Sequence, residues 1–464
     1  MTFARSLLIA LCLAGLLAAV APRIGRAPKA AAQQPPWQLS SSAPAPVKTQ
    51  QAYSLPPDKL AKAIALSRIR NILDIVGSLW GLAVLWLILD TRLAVGLAAW
   101  AERIAKKRWL QGLLFFAVVI VLLTLTGLPL DIFSHQLNRS YGISVQGWGS
   151  WVGDQAKSLG LSLLFGTPVL LLFNWIVRRW PRRYWLGLWV AVLPLLVAGV
   201  FLSPLLDPIF NHFEPLVKSH PALVAELEKV VARTGTNIPP DRMFLMQASA
   251  KTNGLNAYVT GIGATKRFVM WDTAIDHLPD DEIMFVFGHE SGHYVLNHIP
   301  RGMAISAFIL FFSFWACAGF ANWLVRRFGA RWRLSETAGA PSSALCAEGG
   351  NPAPLSTRAG FVALLFAISL AGFILEPVDN TISRHTEHEA DVYGQEAIHG
   401  LVPDPQKTAV SAFNHLGEAW LEDPEPSPFI EFWLYNHPSV QTCATFAANY
   451  NPWANGGHGK FFDK

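Results

Sequence analysis

Two histidines four residues apart with a glutamate beside the first, His289-Glu290-Ser291-Gly292-His293, form the segment of this chain best suited to chemistry. On an α-helix positions i and i+4 share a face, so His289 and His293 can present two imidazoles to one metal ion. Glu290 then stands beside that face, within reach of a metal-bound water, where it can act as general base. Zinc lowers the pKa of such a water to about 7, which makes hydroxide available near neutral pH. The surroundings suit a helix. Asp280, Asp281 and Glu282 supply an acidic first turn, the apolar run Ile283–Phe287 follows, and Tyr294, Val295 and Leu296 come after the motif.

A catalytic zinc needs a third protein ligand and one open position. The metzincin solution would place Gly at 296 and His at 299, where this chain has Leu296 and Ile299. A glutamate from a distant helix is the alternative, and the best candidate lies in Asn380–Asp391. Glu387 and Asp391 stand at i and i+4, with Arg384 at i−3, on one helical face. Glu387 can ligate the metal while Asp391 accepts the other N–H of a ligand histidine and fixes its tautomer. A solvated charged helix is the bland reading of such a cluster. It weakens here because the segment directly follows a long apolar run.

The elements that must hold these residues are largely membrane spans. The chain has 464 residues, 52% hydrophobic and only 15% charged, with 18 Trp and 28 Phe. Soluble chains carry nearer ~25% charged residues, and a disordered chain is excluded by the apolar content. Long apolar runs fall at 72–89, 110–130, 158–177, 184–204, 303–325 and 359–375, each long enough to be read as a crossing. Asp74 and Pro168 interrupt two of them and are tolerable in a bundle interior. Arg5, the apolar run 6–21 and the small residues Ala30–Ala32 read as a signal peptide or signal anchor over residues 1–32. The remaining divisions are 33–71, a Pro/Ser/Ala/Gln-rich linker and interfacial helix; 72–204, four spans; 205–302, a polar region with the His-Glu motif; 303–375, two spans joined by a cytoplasmic loop; and 376–464, the third-ligand helix and C-terminal segment. Within 205–302, the stretches 255–262 and 266–271 read as a β-hairpin turning at Gly263-Ala264-Thr265.

Charge sets the topology. Loops 92–108, 178–183 and 326–358 hold fourteen Lys/Arg, against two in 131–157, which places those three loops in the cytoplasm and both polar regions outside. Five Lys/Arg in 33–71 point the other way. The net charge of +5 follows from this loop bias, and no basic stripe interleaved with aromatics suggests a nucleic-acid partner. Cys12, Cys317, Cys346 and Cys443 show no CxxC spacing, so neither a disulfide framework nor a thiolate zinc site is expected. His298, His385 and His388 lie near the site but off the ligand positions. His277, His399 and His415 are read as surface residues.

With these residues in place the sequence resembles the type I CAAX prenyl protease family, integral-membrane zinc metalloendopeptidases with bacterial relatives. Several motifs carry the likeness in order: 206–216, Asn256-Ala257-Tyr258 with Lys266-Arg267 and Asp272-Thr273, 288–293, Ser383-Arg384 with Glu387 and Ala390-Asp391, and His437-Pro438. They span roughly residues 53 to 440. The resemblance implies an all-α polytopic membrane protein, about seven transmembrane helices around an internal chamber, with a gluzincin-like α+β zinc protease region. It implies His289, His293 and Glu387 as ligands of one Zn2+ per chain, Glu290 as the base and Asp391 as the outer carboxylate. His437 is implied as a histidine near the scissile carbonyl, a candidate oxyanion stabiliser. Asn256, Ala257 and Tyr258 are implied as the edge strand on which an extended substrate pairs, with Arg384 also at the substrate. The chain departs from the family after His437-Pro438, where Thr442-Cys443 replaces a usual Glu-Arg pair. Some family members carry a cytosol-facing site, opposite to the orientation these loops give.

The leading expectation is therefore a monomeric zinc endopeptidase of a bacterial inner membrane, with its site on the periplasmic side. Its partners would be the lipid bilayer and a peptide or membrane-protein substrate, with no nucleic acid. A catalytically silent chaperone of the same fold is the alternative, opposed by the intact ligands and base. A transporter would need midplane ionisable residues or an inverted repeat, and neither is evident.

Overall fold

The computed structural model describes residues 52–261, 265–334 and 353–462. The expected signal or anchor at 1–32 and most of the linker lie outside the described residues, as do Gly263 and Ala264 of the expected hairpin turn. Among the described residues six helices are long and apolar enough to cross a membrane: α1 (Pro57–Asp90), α3 (Arg108–Ser140), α4 (Trp148–Arg179), α5 (Tyr184–Phe210), α8 (His298–Phe328) and α9 (Arg358–Ala397). Each contains one of the six apolar runs and extends beyond it. Only 6% of the most apolar window of α5 is buried within the protein, so its surface of Leu and Val requires lipid.

Local chemistry explains the interruptions. Pro168 has no N–H to offer four residues back, and the chain forms a π turn at Ser162–Gly166 immediately before it. Helix α9 begins at Thr357, whose hydroxyl accepts the Gly360 N–H at 3.0 Å. It then runs 40 residues, through Pro377, without a break. The third-ligand helix is thus the same rod as the last span, and Glu387 lies about 18 Å beyond Leu375 along it.

The loop 92–108 is not wholly irregular, because Leu93–Ile104 forms a short helix, α2. It brings Glu102 to Arg358 (3.1 Å) at the end of the bundle where Arg331 meets Asp90 (2.7 Å). The membrane core gathers Phe115, Phe116, Leu188, Ala321 and Phe361, all fully buried. A cavity of about 850 Å³ lies between α1, α3 and α9, with Asp74, Trp80, Asp131 and Glu376 among its walls.

The polar regions share a second core. Helix α6 (Pro221–Thr234), helix α7 (Asp280–Val295), helix α10 (Pro405–Trp420) and a four-stranded sheet surround Leu227, Phe268, Ile283 and Phe287. Helix α7 is apolar nearly all round over 283–287 because it is enclosed on all sides. The sheet order is β1 (Phe213–Pro215), β2 (Met243–Met246), β4 (Arg267–Trp271), β3 (Ala257–Thr260). Strands β3 and β4 pair antiparallel, as the expected hairpin requires, and Tyr258 faces Val269. Strands β1 and β2 carried no sequence expectation: β1 has three residues and β2 four, too short for a period-2 pattern to show. Two short helices close the chain, α11 (Pro428–Leu434) and α12 (Val440–Asn449).

Candidate metal centre

Helices α7 and α9 cross where side chains are smallest. Glu387, Asp391 and Gly394 recur at i, i+4 and i+7 along α9 and face α7. A Cβ on Gly394 would stand 2.8 Å from the backbone nitrogen of His289, and one on Gly288 would stand 3.2 Å from Gly394 Cα. Hydrogen at both positions allows the two backbones to touch. That approach carries Glu387 to the histidines.

The three expected ligands converge. The Nε2 atoms of His289 and His293 are 3.1 Å apart, and Glu387 Oε2 stands 3.2 Å from the first and 3.4 Å from the second. Together they form a group able to hold a metal ion. A tetrahedral ion with bonds of ~2.0–2.1 Å separates its ligands by about 3.3 Å, so the donor set and its spacing fit zinc. Glu387 Oε2 is buried and makes no hydrogen bond, which leaves its lone pair for such an ion.

Outer contacts hold the ligands. His289 Nδ1 is 2.9 Å from Asp391 Oδ1, so the proton of that imidazole sits on the side away from Glu387. Burial opposes charge on His289, but the carboxylates of Asp391 and Glu387 beside it outweigh that and hold its pKa well above the usual value. Burial raises the Glu290 carboxyl, against the pull of His289 and His293 and with the push of Glu387. Its Oε2 accepts the Val259 N–H at 3.2 Å, which ties the base to β3.

Strand β3 is an edge of the sheet, with its free side toward Glu290. Ala257 and Val259 share that side. The Ala257 N–H donates to Asn256 Oδ1 at 2.9 Å. The Tyr258 hydroxyl reaches Asp207 Oδ2 at 3.3 Å, and Arg267 reaches the same oxygen at 2.9 Å. Asp207 comes from the motif ahead of β1, and its task of bracing β3 was invisible in sequence because its partners lie about 50 and 60 residues away.

His437 is 61% exposed, with Nδ1 3.3 Å from Glu387 Oε2. Arg384 donates to the carbonyls of Glu431 (2.8 Å) and Tyr435 (2.5 Å), which pins the segment that carries His437. Both of those bonds come from Nη1, while Nη2 donates to the Thr381 hydroxyl at 2.8 Å on the exposed side. Where the family has its Glu-Arg pair, Thr442 bonds the N-cap hydroxyl of Ser439 at 2.8 Å. Cys443 is buried, and burial first and Asp391 second push its thiol well up. His298, read from sequence as a bystander, touches His293 (Nδ1 to Nδ1, 3.0 Å).

Residues 38–212 match the family model for the CAAX prenyl protease N-terminal region, five membrane helices, and residues 218–444 match that for peptidase family M48. An uncharacterized metalloprotease, YhfN of Bacillus subtilis, is 32% identical over 406 residues, 86% of this chain and 88% of that protein. CAAX prenyl protease 1 of Saccharomyces cerevisiae is 33% identical over 210 residues, 44% of this chain and 45% of its own length. The crystal structure of S. mikatae Ste24p has the same fold, with a TM-score of 0.68 at 23% identity over 85% of this chain and 89% of that one.

Proposed function

The chain belongs to peptidase family M48, as a membrane metalloprotease related to the CAAX prenyl proteases, and on that premise we propose that it is a zinc endopeptidase cutting extended peptide segments. The observation that carries this reading is the triangle of His289 Nε2, His293 Nε2 and Glu387 Oε2, with sides of 3.1 to 3.4 Å and Glu290 beside it. When bound there, zinc would supply Lewis-acid polarisation and an acidified water.

The chain's own residues do the rest. The free edge of β3 takes the substrate as an added strand, which aligns one peptide bond beside Glu290. Glu290 Oε2 accepts the proton of the attacking water and later returns it to the leaving amine. Its raised pKa suits both steps better than an ordinary carboxylate would. His437, exposed and adjacent to Glu387, donates to the developing oxyanion, and Arg384 holds its segment in place. Asp391 fixes the His289 tautomer.

The substrate class follows from setting and is part of the proposal: membrane or exported proteins of a bacterial inner membrane, met on the periplasmic side. Release of a CAAX tripeptide needs a prenylated cysteine, which such a membrane does not ordinarily offer. A silent chaperone role is not favoured, since ligands and base are all intact. Glu290→Gln tests the reading. It should retain stoichiometric zinc and lose turnover by more than a hundredfold, and membrane proteins uncleaved in that strain and cleaved in wild type would be the substrates. Residual rates within about tenfold of wild type would assign the base elsewhere.

A further inference from the structure

His293 and His298 could not meet on an unbroken helix, where five residues correspond to a turn of about 140° beyond one revolution. They meet because the chain breaks between them. Asn297 takes a left-handed conformation, φ 57°, between the end of α7 and the first residue of α8. The break folds His298 back under the metal-site helix. Its side chain is 4% exposed, and its Nδ1 lies 3.0 Å from Nδ1 of His293.

Two facing imidazole nitrogens 3.0 Å apart share one proton. If His293 ligates through Nε2, its Nδ1 carries that proton, and His298 Nδ1 must be the acceptor. A neutral His298 then carries its own proton on Nε2. That nitrogen is buried, has no aligned hydrogen-bond partner, and stands 3.3 Å from Glu389 Oε2. Glu389 is in turn held by Arg301 Nη1 at 3.1 Å and approached by Lys460 Nζ at 3.6 Å. We propose that His298 is a positioning residue for the metal centre: it accepts the Nδ1 proton of His293, fixes the ligating tautomer, and is itself oriented by Glu389. This deepens the zinc reading and rests on it, through the assignment of His293 as a ligand.

The two ligand histidines are therefore held unequally. His289 has a carboxylate directly on Nδ1, whereas His293 has an imidazole that reaches a carboxylate one step further out. A cavity of about 300 Å³ lined by His298, Arg301, His385 and Glu389 flanks this second arm. His293 should be the more easily detached ligand, and His298 the residue that limits its detachment.

The test is zinc loss from the purified full-length protein to a chelator in excess, with the visible spectrum of the cobalt-substituted protein as a second readout. His298→Phe keeps the ring volume and removes the acceptor. It should release zinc 10- to 100-fold faster than wild type, in line with the usual effect of losing such an outer contact, and shift the cobalt bands. His298→Asn places an amide oxygen near the position of Nδ1, so it should retain zinc to within about threefold and keep the wild-type spectrum. Wild-type retention in His298→Phe, or equally fast loss in His298→Asn, overturns the proposal. Should His298→Phe fail to accumulate, Glu389→Leu carries the test, with faster loss expected and wild-type retention contrary to it. Wild-type protein without stoichiometric zinc would instead overturn the metal assignment itself and this inference with it.

Discussion

At the scale of single residues, His289, His293 and Glu387 are the group on which metal binding turns. Glu387→Ala tests the ligand set, because two imidazoles rarely hold a catalytic zinc. It should lose most bound metal, and stoichiometric zinc in the purified variant would sink the assignment. His298 was legible only as a histidine nearby: Asn297 with Pro300 three residues on is a helix-stop signal, but it does not say how the chain folds back after the left-handed residue. Glu422 stands in no motif. Burial raises its carboxyl to about 7, with Arg70 opposing. Its folded pKa exceeds the unfolded value, so the native state binds more protons between about pH 4.5 and 7. Stability should therefore be full below that window and fall as pH rises through it, by at most on the order of 3 kcal/mol. Glu422→Gln, followed by thermal unfolding in detergent from pH 4 to 8, should flatten that fall. An unchanged slope would assign the pH dependence to other groups.

At the scale of elements, the site depends on how closely α7 and α9 can pack. The contact is made by Gly288 and Gly394: a methyl group would be tight at the first and has no room at the second, where the obstruction is His289 backbone, which cannot swing aside as a side chain can. Overpacking of this kind costs about 1–3 kcal/mol, and here the separation falls directly on the ligand triangle. Gly394→Ala should weaken zinc binding by about tenfold or more. Gly372→Ala, on the same helix with nothing within 4 Å of the added carbon, should leave zinc binding unchanged. Equal affinity in the two variants, measured by chelator competition, would show that the close approach is incidental. The same contact explains why the elements were only partly foreseen. The length of the apolar runs revealed all six spans, and the two stretches flanking Gly263-Ala264-Thr265 revealed the hairpin. The continuity of α9 from the last span to its end at Ala397 was not legible, because Pro377 and the change of composition near residue 376 resemble an end. Strands β1 and β2 were too short to register, and α2 lay within a loop read for its charge alone.

At the scale of the whole molecule, charge at the span ends bears on which side of the membrane the centre faces. An odd number of crossings separates each basic loop from a site-bearing region: three (α3, α4 and α5) for 92–108, α5 alone for 178–183, and α8 or α9 alone for 326–358. The folded chain gathers two of those loops at one end, where Arg331 meets Asp90, Arg92 reaches the Arg331 carbonyl at 3.2 Å and Arg358 meets Glu102. Lys and Arg beside span ends resist translocation, so that end should be cytoplasmic and the metal centre external. The five basic residues in 33–71 argue the other way, yet two of them are engaged at the site-bearing end. Lys59 pairs with Glu418, and Arg70 donates to the Trp420 carbonyl at 3.3 Å and to Asn138 at 2.5 Å. Fourteen basic residues in the three loops against five in 33–71 set the balance for the external reading. Alkaline phosphatase and green fluorescent protein fused in turn after Trp271 and after Lys464 make the test, since the first is active only outside and the second fluoresces only inside. Phosphatase activity without fluorescence is expected at both points. Bright fluorescence without phosphatase activity at both would place His289 and Glu387 in the cytoplasm, reverse the orientation, and bring cytosolic prenylated chains within reach of the site.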